Sequence, residues 1–298
     1  MKLKPIFDTN VFGDVQRGRI SQRDWKFLFG HRPRHGWPLS IITALELLVG
    51  VNVVNPNDFP NVRQRIGLAY DLSQGRVLDD PRVLICREVL RVAVPAVMPS
   101  PLRTSKDMDV IRRANSLGQL LSRSVPYKGT LIGLVSATCF LDDMAKPKKT
   151  WLAQMRAMAT AVYPGWEDLF QKTGRRIPLE LRKEYAKQQR SYWDRQRLVF
   201  SKGMLQSLGA VTNPEVVAQF STRLDAVIEF SSFVASQFLL YNYSIEKHVS
   251  DVFDQLQLFY LAIDRFVIVS SDADLLLRTR QSRQAARTMS FDQFVQTL

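Results

Sequence analysis

The sequence predicts an α/β domain whose sheet is split by a large, mostly α-helical insertion. Short apolar runs, Lys4-Pro5-Ile6-Phe7 and Phe266-Val267-Ile268-Val269-Ser270, stand near the two ends of the chain, and each leads into a polar turn. Between them, apolar side chains recur at steps of three and four over long stretches. Strand–helix alternation at both ends with helices between is the pattern of an interrupted α/β fold. At 298 residues, 46% hydrophobic and 23% charged, the chain has ordinary globular composition and ample length for a core.

The elements follow in order. The first strand ends in Asp8-Thr9-Asn10. Ser21 is placed to cap a helix over 22–29, with Asp24 three residues on, and Gly30 with the following His/Arg/Pro run ends it. An extended 38–42 leads into a helix over about 43–50 that carries Glu46, and a further helix is expected over 59–73, with Val62, Ile66, Ala69 and Leu72 at helical spacing. Either 83–86 or 91–97 is the candidate third core strand. In the middle, Trp151, Met155, Met158, Val162 and Trp166 step helically, with Pro164 set to kink or split that helix. Asn213-Pro214-Glu215 reads as a helix start, followed by one apolar stripe from Val217 to Phe238. A helix holding Ile245 to Ile263 precedes the second strand. Ser271-Asp272-Ala273-Asp274 then opens a short helix, a small strand lies near Thr288 and Met289, and Ser290 with Gln293 caps a terminal helix.

Charge gives the first functional clue. Lys and Arg number 41 against 28 Asp and Glu, a net +13. Residues 101–200 hold 19 basic and 9 acidic side chains, whereas 201–298 hold 8 and 10. A basic middle beside an acidic end suggests a polyanion docked by one region and handled chemically by another. Only Cys86 and Cys139 occur, so no disulfide framework is expected and a cytoplasmic location is. The N-terminus lacks the apolar run of a signal peptide, and no apolar stretch is long enough to span a bilayer.

Carboxylates stand where they are expensive unless used. Asp8 ends the first strand, Glu46 interrupts an apolar helix, Asp254 lies on the helix before the second strand with Asp251 one turn earlier, and Asp272 and Asp274 follow that strand. Strand carboxyl ends are where ligand sites gather in open parallel sheets. Oxygen-rich ligation without His or Cys suits a hard cation, Mg²⁺ or Mn²⁺. Bland readings stand beside this one: Asp8 as an Asx-turn residue, Glu46 as a helix-dipole partner, Asp272 or Asp274 as a helix cap.

The ordered set Ile6-Phe7-Asp8-Thr9-Asn10, Ser40-Ile41-Ile42-Thr43-Ala44-Leu45-Glu46-Leu47, Asp254 and its helix, and Val267-Ile268-Val269-Ser270-Ser271-Asp272-Ala273-Asp274-Leu275 resembles the PIN-domain nucleases. The resemblance covers roughly the first and last fifty residues; 207 residues separate Glu46 from Asp254, where compact members of the family use a few dozen. It implies a parallel sheet flanked by helices, with a PIN-like core over 1–97 and 244–298 and a basic helical insertion over 98–243. It further implies catalytic carboxylates at Asp8, Glu46, Asp254 and Asp272 around Mg²⁺ or Mn²⁺, with either Asp272 or Asp274 as the last ligand. Thr9, Asn10, Ser270 and Asp251 would support them. The family's usual substrate is RNA, cut to leave a 3′-hydroxyl and a 5′-phosphate. A protein inhibitor, as in toxin–antitoxin pairs, or a second copy of the chain is a further candidate partner, although the chain is long for such a toxin.

In the insertion, Arg182, Lys183, Lys187, Arg190, Arg195 and Arg197 are interleaved with Tyr185, Tyr192 and Trp193, as single-stranded nucleic acid would require; the same aromatics at helical spacing also read as core. The function expected is a metal-dependent phosphodiesterase acting on single-stranded nucleic acid, RNA over DNA. Its rivals are a catalytically silent PIN-like scaffold that binds nucleic acid or protein, and a helical polyanion binder with no such core.

Overall fold

Residues 3–52, 56–95, 100–122, 179–241 and 250–298, with short pieces at 126–127, 130–131, 168 and 172, are described by a computed structural model. In chain order they form β1 (Lys4–Phe7), α1 (Thr9–Gln16), α2 (Gln22–Gly30), α3 (Ile41–Asn52), α4 (Phe59–Ser73) and α5 (Pro81–Leu84) with a π-helical turn at Ile85–Leu90. Then come α6 (Pro101–Arg113), α7 (Leu117–Ser122), the paired β2 (Pro126–Tyr127) and β3 (Thr130–Leu131), α8 (Leu179–Ser207), α9 (Pro214–Thr222) and α10 (Asp225–Tyr241). The chain ends with α11 (Ser250–Leu258), β4 (Phe266–Ser270), α12 (Ala273–Arg278), β5 (Thr288–Ser290) and α13 (Phe291–Val295). The fold is mostly helical around a small parallel sheet. No helix among the described residues is long and apolar enough to cross a membrane.

The sheet runs β1–β4–β5, all parallel. β4 lies at its centre and every residue of it is buried, which explains its unbroken Phe-Val-Ile-Val run. Phe7 registers with Val269, and the Asp8 amide donates to the Val269 carbonyl at 2.9 Å, so Asp8 and Ser270 come to adjacent strand ends. Ser270 in turn registers with Ser290 of β5. Ile6 and Ile268, side by side in the sheet, are fully buried. Ile268→Ala should therefore cost about 2–5 kcal/mol. Its urea midpoint should fall while the slope stays unchanged; a loss below ~1 kcal/mol would place Ile268 outside the well-packed core.

Local signals act as read. Ser21 caps α2, Asn213 caps α9 ahead of Pro214, and Ser290 with Gln293 completes a capping box on α13. Gly36 has φ +72°, and a Cβ there would lie 2.5 Å from the Ser73 backbone, so the chain passes α4 only without a side chain. The Trp37 amide then donates to Leu72 and the Leu39 amide to Arg76.

Three expectations are corrected. The stretch 83–86 is helical: Asp80 caps a turn begun by Pro81, and that turn continues into the π-helical one. Residues 91–95 form no strand, and 96–97 lie outside the described residues. The extended 38–42 reduces to a single bridge, Leu39 to Val77, because Ile41 already begins α3. The stripe from Val217 to Phe238 belongs to two helices, α9 and α10. They part at Asp225, whose carboxylate accepts from Arg197 and from the Arg283 amide, while Gln284 satisfies the Ala226 amide at 2.6 Å. The helical pattern over 151–170 falls almost wholly outside the described residues, as does the start of the helix expected from Ile245.

The described part of 98–243 shares the core of the sheet-bearing ends. Met108, Ile111, Phe220, Ile228 and Val234 belong to the same buried cluster as Ile6 and Ile268. α6 packs on α3 and α4, and α10 packs on α8, α11 and α12.

Candidate acidic site

Strand pairing, not sequence proximity, brings the two ends of the chain together here. Asp8 caps α1 directly after β1 and is 3% exposed. Its Oδ1 accepts from the Thr9 amide at 2.7 Å, and its Oδ2 accepts from the Ser270 hydroxyl at 2.7 Å and from Asn10 Nδ2 at 3.2 Å. Ser270 also accepts from the Asp272 amide at 2.9 Å, so one hydroxyl orients Asp8 and ties down the turn that carries Asp272. Asp272 caps α12, accepting from the amides of Asp274 and Leu275. The bland capping reading of Asp272 thus holds, whereas Asp8, read as an Asx-turn residue, caps α1 through the next residue's amide; capping fixes where each carboxylate stands.

α3 supplies Glu46. The Thr9 hydroxyl donates to Glu46, so Thr9 holds Asp8 with its amide and Glu46 with its side chain. α11 supplies Asp254, 6% exposed. Nearby, the Thr43 hydroxyl donates to the Phe7 carbonyl at 2.9 Å and lies 3.1 Å from Gln257 Oε1, so one buried hydroxyl joins β1, α3 and α11.

Burial and neighbouring charge raise three of these carboxylates. Burial first, then the charge of Asp8, pushes Glu46 up to about 8 despite the bond from Thr9. Asp254 rises to about 9, through burial first and then the charges of Asp8, Glu46, Asp251 and Asp272. Asp8 is also raised, chiefly by burial, with Asp272 adding to the effect and the bonds from Ser270, Thr9 and Asn10 opposing it. Burial is thus the first cause of each rise, and the charge of neighbouring carboxylates adds to it.

Two further carboxylates lie beside an arginine. Asp251 is buried and ion-paired with Arg278, its Oδ1 2.7 Å from Nη1. The Asp274 side chain is 74% exposed and lies 3.8 Å from the same guanidinium. Arg278 was not foreseen as part of this region; its one sequence signal is a charge four residues after Asp274 in an otherwise apolar turn. Thr43 and Gln257 were likewise missed, although each lies three residues from an acidic member of the set.

The donor set, all carboxylate with flanking hydroxyl and amide groups, suits a hard divalent cation. Among the described residues, however, no three His, Cys, Asp or Glu side chains are gathered tightly enough to hold a metal ion as they stand.

The basic stretch lies on α8. Lys183, Lys187 and Arg195 are exposed. Arg197 is engaged, with Nη2 2.9 Å from Asp194 and 3.1 Å from the buried Asp225. Trp193 is buried edge-on to Phe200, and Tyr192 is half-buried beside it, so these two rings pack inward. The side chains of Arg182, Tyr185 and Arg190 lie outside the described residues. Compared with known proteins, the chain matches no family model, no curated protein sequence and no solved structure.

Proposed function

We propose that the chain is a metal-dependent nuclease of the PIN type that hydrolyses phosphodiesters in single-stranded nucleic acid. What supports this reading is that Ser270 links Asp8 to the turn of Asp272, that Thr9 links it to Glu46, and that Glu46 and Asp254 are raised to about 8 and 9 by burial and then by neighbouring carboxylates. Mutual repulsion among buried carboxylates is a standing cost unless a cation or a shared proton offsets it. These four side chains would hold Mg²⁺ or Mn²⁺. When bound, such an ion lowers the pKa of a water and neutralises charge developing on a phosphoryl oxygen. The chain's own contribution is orientation: Ser270 and Asn10 fix the Asp8 carboxylate, and Thr9 fixes Glu46. RNA is favoured over DNA on the resemblance to PIN nucleases alone.

The second reading, a silent scaffold that binds nucleic acid or protein, draws on the lack of a closed ligand group among the described residues. Labelled single-stranded RNA and its DNA counterpart, incubated with Mn²⁺, Mg²⁺ or EDTA, separate the two. Cutting with metal and none with EDTA supports the nuclease, and binding without cutting supports the scaffold.

For docking, the exposed cations of α8 are the working part. Reversing Lys183, Lys187 and Arg195 to Glu together should weaken binding of single-stranded RNA. It should also flatten the salt dependence by about 0.7 in log–log slope for each phosphate that these side chains neutralise in the wild type. Unchanged affinity and slope would remove α8 from the interface.

A further inference from the structure

Arg278 is 7% exposed, an unusual setting for a guanidinium. Its Nη1 lies 2.7 Å from Asp251 Oδ1, and its Cζ stands 5.5 Å and 5.7 Å from the ring centroids of Phe230 and Phe233 on α10. Yet the pair is imperfectly satisfied: Arg278 Nε and Asp251 Oδ2 are both buried without a hydrogen-bond partner. A buried ion pair with orphaned atoms is a poor stability device, because desolvation offsets its attraction. Its position gives it another use. Asp251 lies one turn before Asp254 on α11, and Arg278 ends the helix that Asp272 caps.

We infer that Arg278 is a positioning residue that withdraws Asp251 from the acidic set, so that a divalent cation meets Asp254 and Asp272 without a competing carboxylate one turn away. The guanidinium neutralises Asp251, and its second amino group stands nearest Asp274, the other surplus carboxylate. Of the six acidic residues, Asp251 and Asp274 are the two that attend the arginine. The inference rests on the nuclease reading for the cation.

Calorimetric titration of the full-length protein with Mn²⁺ tests it without any measurement of activity. Relative to the wild type, Asp254→Asn should weaken Mn²⁺ binding by ~100-fold, as removal of a ligand does. Asp251→Asn should leave it within about twofold. Because Asp251→Asn strands a buried guanidinium, the pair variant D251N/R278M carries the same expectation with neither charge present. Arg278→Met alone leaves the Asp251 carboxylate without its cation, and Mn²⁺ should then bind about tenfold more tightly; that change should vanish in D251N/R278M. A merely structural arginine would shift Tm in these variants and leave the Mn²⁺ coupling between 251 and 278 at zero. If D251N/R278M loses Mn²⁺ as severely as D254N, Asp251 is a ligand and the inference is overturned. If the wild type takes up no Mn²⁺, the nuclease reading itself falls, and the inference with it.

Discussion

Asp8→Asn should lower metal-dependent cleavage by at least about 10²–10³-fold, the loss that follows removal of one preorganised electrostatic group at a reacting centre. Asp8 is the strongest position because it is the most constrained: one oxygen is fixed by the Thr9 amide, the other by Ser270 and Asn10. Asn keeps the size and the capping acceptor but loses the charge, and its amide group would face donors that now serve the carboxylate. Ser270→Ala should cost less, about 10–100-fold, since the charge stays and only its orientation is released. Both variants should retain the fold by circular dichroism. Rates with saturating Mn²⁺ on a single-stranded RNA measure the difference. Equal losses in the two variants would mean that the orientation of Asp8 matters as much as its charge, whereas an active D8N protein would end the nuclease reading.

Much of this site was legible in the sequence because its members stand at local punctuation. Asp8 and Asp272 each follow an apolar run closely and open a helix, so composition alone marks both positions. Glu46 stands out as a lone charge in an apolar helix. What stayed hidden depends on partners distant in the chain. The break at Asp225 is set by Arg197, Arg283 and Gln284, none of them within reach of a periodicity argument. Residues 83–86 carry a strand-like apolar run, yet the cap at Asp80 and Pro81 starts a helix there. The same limit applies to Arg278 and Asp251, on different helices with a whole strand between them. Aromatics interleaved with basic residues misled in a different way: Trp193 repeats at a spacing that serves core and nucleic acid equally, and it faces the core.

Stability should fall as pH rises from about 5 to 9.5, the reverse of a protein whose carboxylates are held below their ordinary range. The sign follows from proton counts. Unfolded, Asp and Glu release their protons near pH 4; folded, Glu46 and Asp254 retain theirs until about 8 and 9. Between those limits the native state binds more protons than the unfolded state, so the unfolding free energy decreases with pH. The contribution is fully present below about pH 4 and is lost progressively as pH rises toward the folded values. Asp254→Asn removes the group with the highest value and one source of repulsion on Glu46. Near pH 5 its Tm should match the wild type within the effect of ~0.5 kcal/mol typical of neutral substitutions. Near pH 9.5 it should exceed the wild type by roughly 0.5–2 kcal/mol, at about 2–4 °C per kcal/mol for a chain of this size. Added Mn²⁺ should raise the wild-type Tm most at the alkaline end, where the carboxylates are free of protons, and should raise that of D254N far less. Differential scanning fluorimetry across this pH range, with and without Mn²⁺, reads all of this. Parallel curves for the two proteins would show that Asp254 is not repelled by its neighbours, and the case for a cation among these four side chains would lose its physical basis.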